Sequence, residues 1–184
     1  MKEEKCIILD FLPTGYPGRR HAEPIAQAVG RNFSLLELVP RDSINLKPEE
    51  EVYIGEGKRD KIRYIRGILD PHSMTNFAQK ILQEIVEKIV KEEERRFVDF
   101  FNKATIVTPR LHQLQLLPGV GKKHVIDILD ERRKRSFENF NDITLRVKLT
   151  HPDKIVVKRI MLELMGDEKY FIFTPLKKKI DAYA

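Results

Sequence analysis

The chain has a single cysteine and no tryptophan in 184 residues. Cys6 therefore has no partner for an intrachain disulfide, and a metal site built from several thiolates is excluded. No apolar run approaches the ~20 residues of a membrane-spanning helix, and the charged N-terminus leads into only a short apolar segment, unlike a signal peptide. The scarcity of cysteine favours a reducing compartment. We therefore expect a cytoplasmic protein with no membrane partner.

Charged residues make up 34% of the chain and hydrophobic residues 41%, which is typical of a globular protein. The net charge is +6, and basic and acidic residues balance in residues 1–70 and again in residues 71–105. The whole excess lies in residues 106–184, which contain 16 basic and 10 acidic residues. A local surplus of this kind is expected of a protein that binds a polyanion, although a solvated basic face produces it too.

Residues 1–70 contain short β-prone runs separated by turn residues, with no long helical pattern. Alternation of apolar and polar residues is clearest in Ile62–Ile68. Five short strands predict a small β-barrel of the OB type, with an SH3-like barrel as the alternative. The predicted strands are residues 6–12, 25–29, 33–39, 52–54 and 62–68.

The loop between the first two strands combines turn residues, one aromatic residue and a basic cluster. In OB barrels this loop often contacts single-stranded nucleic acid, where aromatic rings stack on bases. We therefore take Tyr16, Arg19 and Arg20 as candidate nucleic-acid-binding residues. An ordinary surface loop is the alternative interpretation of this segment.

Residues 71–105 are predicted to form a connecting amphipathic segment. Apolar residues recur at helical spacing from Met74 onward, with Ser73 as the expected N-cap. The segment is either one long helix or two shorter ones. The charge run at residues 91–96 predicts exposed helix surface or a break between two helices.

A Pro-Gly-Val-Gly turn followed by two lysines is the most informative motif of the chain. Gly119 and Gly121 permit positive φ angles and close backbone approach, so several amides around Val120 can point at one spot. Lys122 and Lys123 open the following helix, where cations oppose the helix macrodipole unless an anion is bound. We assign contact with a backbone phosphate to these five residues.

Short helices are predicted on both sides of this turn. Thr108 and Pro109 are a favourable N-cap and first position for a helix reaching Leu117. The next helix, at about residues 122–135, has a cationic C-terminal end that suits the helix dipole without any ligand. Its predicted buried residues are Val125, Ile126, Ile128 and Leu129. Two further helices are predicted to end at Val147 and near Met165, the last followed by Gly166 as the C′ residue.

Residues 114–129 resemble a helix-hairpin-helix motif, and residues 111–165 resemble its doubled form. At an offset of 31 positions the glycine turn falls on Thr150-His151-Pro152, so the second copy has no glycines. Asp153 already complements the dipole there, which leaves packing as the expected role of the second hairpin. The resemblance implies that amides of the first turn hold a nucleic-acid phosphate without reading sequence. In some members a monovalent cation bound by turn carbonyls helps; no other cofactor is expected.

A wider resemblance covers nearly the whole chain. The order of barrel, helical segment and helix-hairpin-helix domain is similar to an uncharacterised archaeal family of predicted RNA-binding proteins. The Leu-Pro-Gly-Val-Gly-Lys-Lys turn and the Ser-Phe-Glu-Asn-Phe connection carry this similarity. The resemblance implies RNA rather than DNA, a choice that the residues alone leave open.

Other chemistries fit the sequence less well. A P-loop requires four residues between its glycines and a hydroxyl after its lysine, and both are missing here. The five histidines show no metal-ligand spacing. A metal-dependent nuclease assembled from dispersed carboxylates such as Asp10, Glu23 or Asp60 stays open, and so does a protein–protein scaffold.

The sequence thus predicts an α+β protein with an OB-like barrel at residues 1–70 and a helix-hairpin-helix domain at residues 106–184. Residues 169–175 are expected to form a strand that docks on the barrel. The predicted function is non-catalytic binding of nucleic acid, RNA preferred, with no catalytic residues and no metal ligands. Barrel and loop would contact single strands, and the first hairpin turn would hold the backbone.

Overall fold

A computed structural model describes residues 3–18, 23–166 and 168–175. The chain divides into two compact units, one made of residues 1–85 and 163–184 and the other of residues 86–162. The first contains a five-stranded sheet and the second is mainly helical. The predicted α+β class is confirmed.

The sheet of the first unit is entirely antiparallel and has the strand order β4-β1-β2-β3-β5. It curls into a half-barrel whose two edges are β4 and β5. Each of the five predicted strands is present, with ends that differ by one or two residues. The strands are β1 (Lys5–Leu12), β2 (Ile25–Gly30), β3 (Leu35–Pro40), β4 (Glu51–Tyr53) and β5 (Ile62–Ile68).

The core of this unit combines side chains from all five strands with Leu46 from the connection between β3 and β4. Every residue of β2, the central strand, is buried, as expected of a strand covered on both faces. Burial raises the pKa of the Cys6 thiol well above its ordinary value. The core residues are Cys6, Ile8, Ala26, Ala28, Leu36, Leu38, Leu46, Val52, Ile54, Ile62 and Ile65.

Five α-helices follow the sheet: α1 (Asn76–Glu92), α2 (Glu94–Lys103), α3 (Lys122–Lys134), α4 (Phe140–Val147) and α5 (Pro152–Met165). The segment after residue 73 is therefore two helices, and Glu93 separates them. Ser73 is not the N-cap of α1, because it ends a short 3-10 helix, Pro71–Ser73. The cap is Thr75, whose Oγ1 accepts a hydrogen bond of 3.0 Å from the amide of Ala78.

The prediction of a helix that starts at Pro109 is wrong. Two short antiparallel strands, β6 (Ile106–Thr108) and β7 (Leu111–His112), occupy this stretch, followed by a 3-10 helix, Gln113–Leu116. The Thr108 hydroxyl oxygen accepts from the amide of Arg110 at 3.4 Å and so supports a tight turn between strands. The Thr-Pro dipeptide is favourable both in a β-turn and at a helix N-terminus, so by itself it does not distinguish these two structures.

The strand predicted at residues 169–175 does not form. The carboxylate of Glu163, which is buried, accepts hydrogen bonds from the successive amides of Ile172, Phe173 and Thr174 at 2.9, 3.0 and 2.9 Å. Because three neighbouring amides converge on one carboxylate, they cannot alternate in direction as a strand ladder requires. The segment nevertheless lies beside the sheet, since Phe171 and Thr174 line a small cavity together with Leu35 of β3 and other residues of this unit.

Arg146 of α4 organises the helical unit. Its Nη2 donates to the backbone carbonyls of Glu131 and Arg135 at 2.6 and 2.8 Å, at the C-terminal end of α3. Its Nη1 donates to Asp142 at 3.1 Å, and the guanidinium lies 4.5 Å from the centre of the Phe137 ring. This side chain therefore caps α3 and fixes the connection from α3 to α4.

Candidate nucleic-acid interface

The glycine turn joins the 3-10 helix to α3 and is closed by one backbone hydrogen bond, from the amide of Val120 to the carbonyl of Leu117 at 3.1 Å. Gly119 has φ +81°, in the region that glycine alone enters without strain. Gly121 is the N-cap of α3 with φ −87° and ψ 177°, and has no side chain to bond the helix amides. The turn thus leaves the start of α3 uncapped.

The first amides of α3 point away from any acceptor in the described part of the chain. The first helical hydrogen bond runs from the amide of Val125 to the carbonyl of Gly121 at 3.1 Å. The four preceding amides, those of Gly121, Lys122, Lys123 and His124, have no acceptor among the described residues. No acidic residue lies in this turn, and both lysines are exposed. The geometry is that of a helix end able to accept an anion.

The basic cluster at the end of α3 is used internally. Arg133 pairs with Asp130 at 3.1 Å, Lys134 with Glu131 at 2.6 Å, and Arg135 with Glu138 at 2.7 Å. Arg132 donates to the carbonyls of Phe101 and Ala104 at the end of α2, at 3.0 and 2.9 Å. Among described residues, by contrast, neither Lys122 nor Lys123 has an acidic partner. Lys122 and Lys123 are therefore exposed cations at the turn that no ion pair in the described ranges engages.

Arg159 of α5 donates a hydrogen bond to the backbone just before the glycine turn. Its side chain is only 3% exposed, and Nη1 donates to the carbonyl of Leu116 at 3.1 Å, directly before the turn. Sequence reasoning missed this residue, because 43 positions separate it from Leu116 and its place in a helical apolar pattern gave no signal. The helix α5 therefore contributes a polar contact to the segment before the glycine turn as well as packing.

The segment before α5, residues 150–152, differs from the glycine turn in its ability to bind an anion. His151 has φ +50°, and its carbonyl accepts the first hydrogen bond of α5, from the amide of Ile155 at 3.1 Å. Pro152 has no amide proton to offer, and Asp153 lies in the first helical turn. The carboxylate there complements the helix dipole. The start of α3 thus combines uncapped amides with two cations and no acidic residue, whereas the start of α5 has an aspartate beside Lys154 and lacks one amide proton.

His112 and Gln115 hold the 3-10 helix that leads into the turn, a role that the sequence did not indicate for Gln115. The Nδ1 of His112 accepts from the amide of Leu114 at 3.1 Å, and the Oε1 of Gln115 accepts from the amide of His112 at 2.8 Å. Burial, with a smaller contribution from Arg132, lowers the pKa of His112. The imidazole is therefore neutral near pH 7, with its proton on Nε2.

Tyr16 lies in the other unit and is half-buried. Its hydroxyl donates to Glu37 at 2.7 Å and accepts from Gln27 at 3.0 Å. Burial, followed by the hydrogen bond to Glu37, raises the pKa of Tyr16 to about 12. The hydroxyl is thus tied to the sheet rather than displayed on a free loop. Arg19 and Arg20 lie outside the described residues.

Two further observations concern the described residues only. They contain no group of three or more histidine, cysteine, aspartate or glutamate side chains placed to hold a metal ion. None of their helices combines the length and the apolar character needed to cross a bilayer.

The predicted burial along α3 is confirmed in part. Val125 and Ile128 are buried, Leu129 is half-buried, and Ile126, expected to be buried, is 58% exposed. The helix contributes a narrower apolar face than the apolar spacing suggested, and Ile126 lies on the surface beside Lys122.

The two glycines of the turn predict responses of different size to alanine. Gly119→Ala forces a Cβ into the left-handed region and is expected to lower the free energy of unfolding by about 1–2 kcal/mol. Gly121→Ala has ordinary dihedral angles and open space around the added Cβ, so its expected loss is smaller, about 0.5 kcal/mol, and arises because alanine is a less favourable N-cap than glycine. Urea unfolding followed by circular dichroism measures both variants. Equal losses would contradict the turn geometry described above.

Fold and turn together define an α+β protein of two units, one a half-barrel sheet and the other a helical unit with an uncapped, cationic turn. The chain belongs to the family described as "Protein of unknown function (DUF655)", which matches residues 2–175. Membership of an uncharacterised family with archaeal members, expected from the sequence, is thereby confirmed.

Two relatives are similar over most of their length. The chain is 42% identical to "Uncharacterized protein MJ0038" of Methanocaldococcus jannaschii over 181 residues, which covers 97% of this chain and 82% of that protein. Among solved structures it is similar to Af1531 from Archaeoglobus fulgidus, with 43% identity and a TM-score of 0.82. That match covers 94% of this chain and the whole of the other.

Proposed function

We propose that this protein binds nucleic acid, RNA preferred, without catalysis, and that the turn from Gly119 to Lys123 holds a backbone phosphate. The observation that carries the proposal is the set of uncapped amides at the start of α3 beside two exposed lysines that have no acidic partner in the described residues. We interpret the helical unit as a helix-hairpin-helix domain and the half-barrel as OB-like.

The physical argument rests on an electrostatic conflict that a phosphate resolves. Two cations in the first turn of α3 oppose the positive end of the helix dipole, and each is unfavourable by about 0.3–1 kcal/mol in the absence of an anion. A phosphate accepts hydrogen bonds from the amides and pairs with Lys122 and Lys123 at the same time. Such contacts involve the backbone of the nucleic acid and carry no sequence information.

RNA is preferred over DNA on the resemblance to an archaeal family of predicted RNA-binding proteins. The lone cysteine supports a reducing, cytoplasmic setting for this activity. A monovalent cation held by carbonyls of the turn is compatible with the proposal, since it would add positive charge beside the phosphate.

Salt-titrated binding tests the proposal. Fluorescence anisotropy with single-stranded RNA, duplex RNA and DNA is expected to show binding at low salt. The logarithm of the affinity should fall with the logarithm of salt by about 0.7 per phosphate contacted on a single strand and about 0.9 on a duplex. Absence of binding to all three nucleic acids at low salt would refute the proposal.

Two controls test separately the absence of catalysis and the position of the phosphate at the glycine turn. The RNA should stay intact in the presence of Mg²⁺ or Mn²⁺, and cleavage would contradict a non-catalytic function. Gly121→Ala adds a methyl group where the phosphate would approach, so it should weaken binding although the fold has room for it.

A further inference from the structure

A shallow groove of about 300 Å³ runs beside the glycine turn, between the β6–β7 turn and α3. Its apolar surface includes Leu111, Ile106 and Ile126. The two isoleucines are 71% and 58% exposed, which is unusual for such large apolar side chains. An apolar body lying in the groove would cover both, and the volume is at the lower end of that of small-molecule pockets.

The charge of the groove favours a polyanionic ligand. Arg110 and Lys122 line it, and neither has an acidic partner within the described ranges. No carboxylate is present among the described residues that line the groove. A protein helix could cover the isoleucines, but a groove with only cations on its rim is complementary to a ligand that is apolar in the middle and anionic at its edge.

The polar groups inside the groove are hydrogen-bond donors. The Oε1 of Gln115 is used by the amide of His112, which leaves the side-chain Nε2 of Gln115 with no acceptor among the described residues. The Nδ1 of His112 is likewise used as an acceptor, so Nε2 carries the proton of the neutral ring. Both residues line the groove, and donors of this kind match the oxygen and nitrogen acceptors on the edge of a nucleobase.

We propose that this groove holds one unpaired nucleobase of an RNA strand whose adjacent phosphate lies at the glycine turn. Lys122 belongs to both surfaces, so a phosphate at the turn places the neighbouring base beside Ile126. The proposal rests on the proposed function, and it adds that the helical unit itself selects unpaired strands. Stacked bases in a duplex cannot enter the groove without leaving the helix.

Two surface substitutions test the groove, with a matched control. Ile106→Ser and Ile126→Ser each remove apolar area from the groove, and Leu145→Ser on α4 removes a side chain that is also 71% exposed and does not line it. The probes are a short fluorescent single-stranded RNA, an abasic strand of the same length and a blunt RNA duplex. Circular dichroism checks that each variant is folded.

We expect each isoleucine variant to weaken binding of the single-stranded RNA by about 5-fold. Binding of the abasic strand and the duplex, the salt dependence and the control variant should be unchanged, because no phosphate contact is lost. Equal affinity of wild type for the normal and abasic strands, or unchanged binding by both isoleucine variants, would overturn the groove proposal alone. Loss of affinity for the duplex to the same extent would also overturn it.

Two other results distinguish failure of the groove proposal from failure of the proposed function on which it rests. If the wild-type protein binds none of the probes at low salt, both this proposal and the proposed function fail. If sedimentation velocity shows a dimer that Ile106→Ser and Ile126→Ser dissociate, the groove is the interface with a second copy, and the nucleobase assignment is wrong.

Discussion

Replacement of Lys122 and Lys123 by glutamate is expected to weaken RNA binding by about 2 kcal/mol, roughly 30-fold, near physiological salt. The salt dependence should fall by about 1.4 in log–log slope if each lysine neutralises one phosphate of a single strand. The reason is local: the two lysines are the cations beside the uncapped amides of α3, and glutamates would repel the phosphate there.

Stability should change in the opposite direction. Carboxylates in the first turn of a helix are favourable by about 0.3–1 kcal/mol each, so the double variant should be at least as stable as the wild type. Anisotropy measures the affinity, and urea unfolding measures the stability on the same preparations. Weaker binding together with undiminished stability cannot be explained by unfolding.

The matched control is Lys154→Glu with Lys158→Glu on α5. Both lysines are exposed on α5, and two Lys→Glu changes alter the net charge as much there as at the glycine turn. The control should reduce affinity only slightly, through the general charge of the protein. Similar losses in the two double variants would show that net charge, and not the first turn, governs binding.

Arg146→Ala is expected to produce a large loss of stability, about 3 kcal/mol. The side chain is only 16% exposed, and it holds two carbonyls at the end of α3, the Asp142 carboxylate and the face of Phe137. Its removal takes the side-chain donor from the Arg135 carbonyl and opens the connection from α3 to α4. The Glu131 carbonyl and Asp142 each lose one donor and keep others, from Arg135 and Glu138. Hydrogen bonds from charged donors are the stronger class, which is why several together give an effect of this size.

Thermal and urea unfolding followed by circular dichroism measure this effect. Arg133→Ala is the control, because Arg133 is exposed and makes one surface pair with Asp130, worth less than about 1 kcal/mol. A loss for Arg146→Ala no greater than that of the control would contradict its role as the cap of α3. Because the chain has two compact units, a change confined to one of two unfolding transitions would still support it.

Local sequence patterns predicted a strand or a helix correctly where the pattern is compatible with only one kind of secondary structure. The strand predicted at Ile62–Ile68 and the end of α5 before Gly166 are both present, although burial along β5 does not alternate strictly because its pairing with β3 has two register shifts. Prediction failed where one signal suits two structures. Thr108-Pro109 starts a helix or closes a β-turn, and the apolar run at residues 170–173 forms a strand or a bent segment bound to Glu163.

The candidate site was predicted in part. Residues 119–123 form the uncapped turn that their spacing indicated, and their binding of phosphate stays a prediction. Tyr16 is tied to Glu37 and Gln27, a contact that depends on the register of the strands and is invisible in the loop sequence. The groove was not predicted, because Ile106 and Ile126 are far apart in the chain and the apolar spacing of α3 predicted burial for Ile126.

The sequence by itself determined the α+β class, the five strands, the glycine turn with its two lysines, and the place of the basic surplus. These features depend on neighbouring residues, through side-chain periodicity, φ preferences and charge. The acidic partners of Arg133, Lys134 and Arg135 lie only three residues away in the chain. Only the tertiary structure brought Arg132 to the carbonyls of Phe101 and Ala104, which are 31 and 28 residues away. It also brought Arg159 to the carbonyl of Leu116, a residue 43 positions away in the sequence. Contacts between distant segments arise from packing, and no local pattern encodes them.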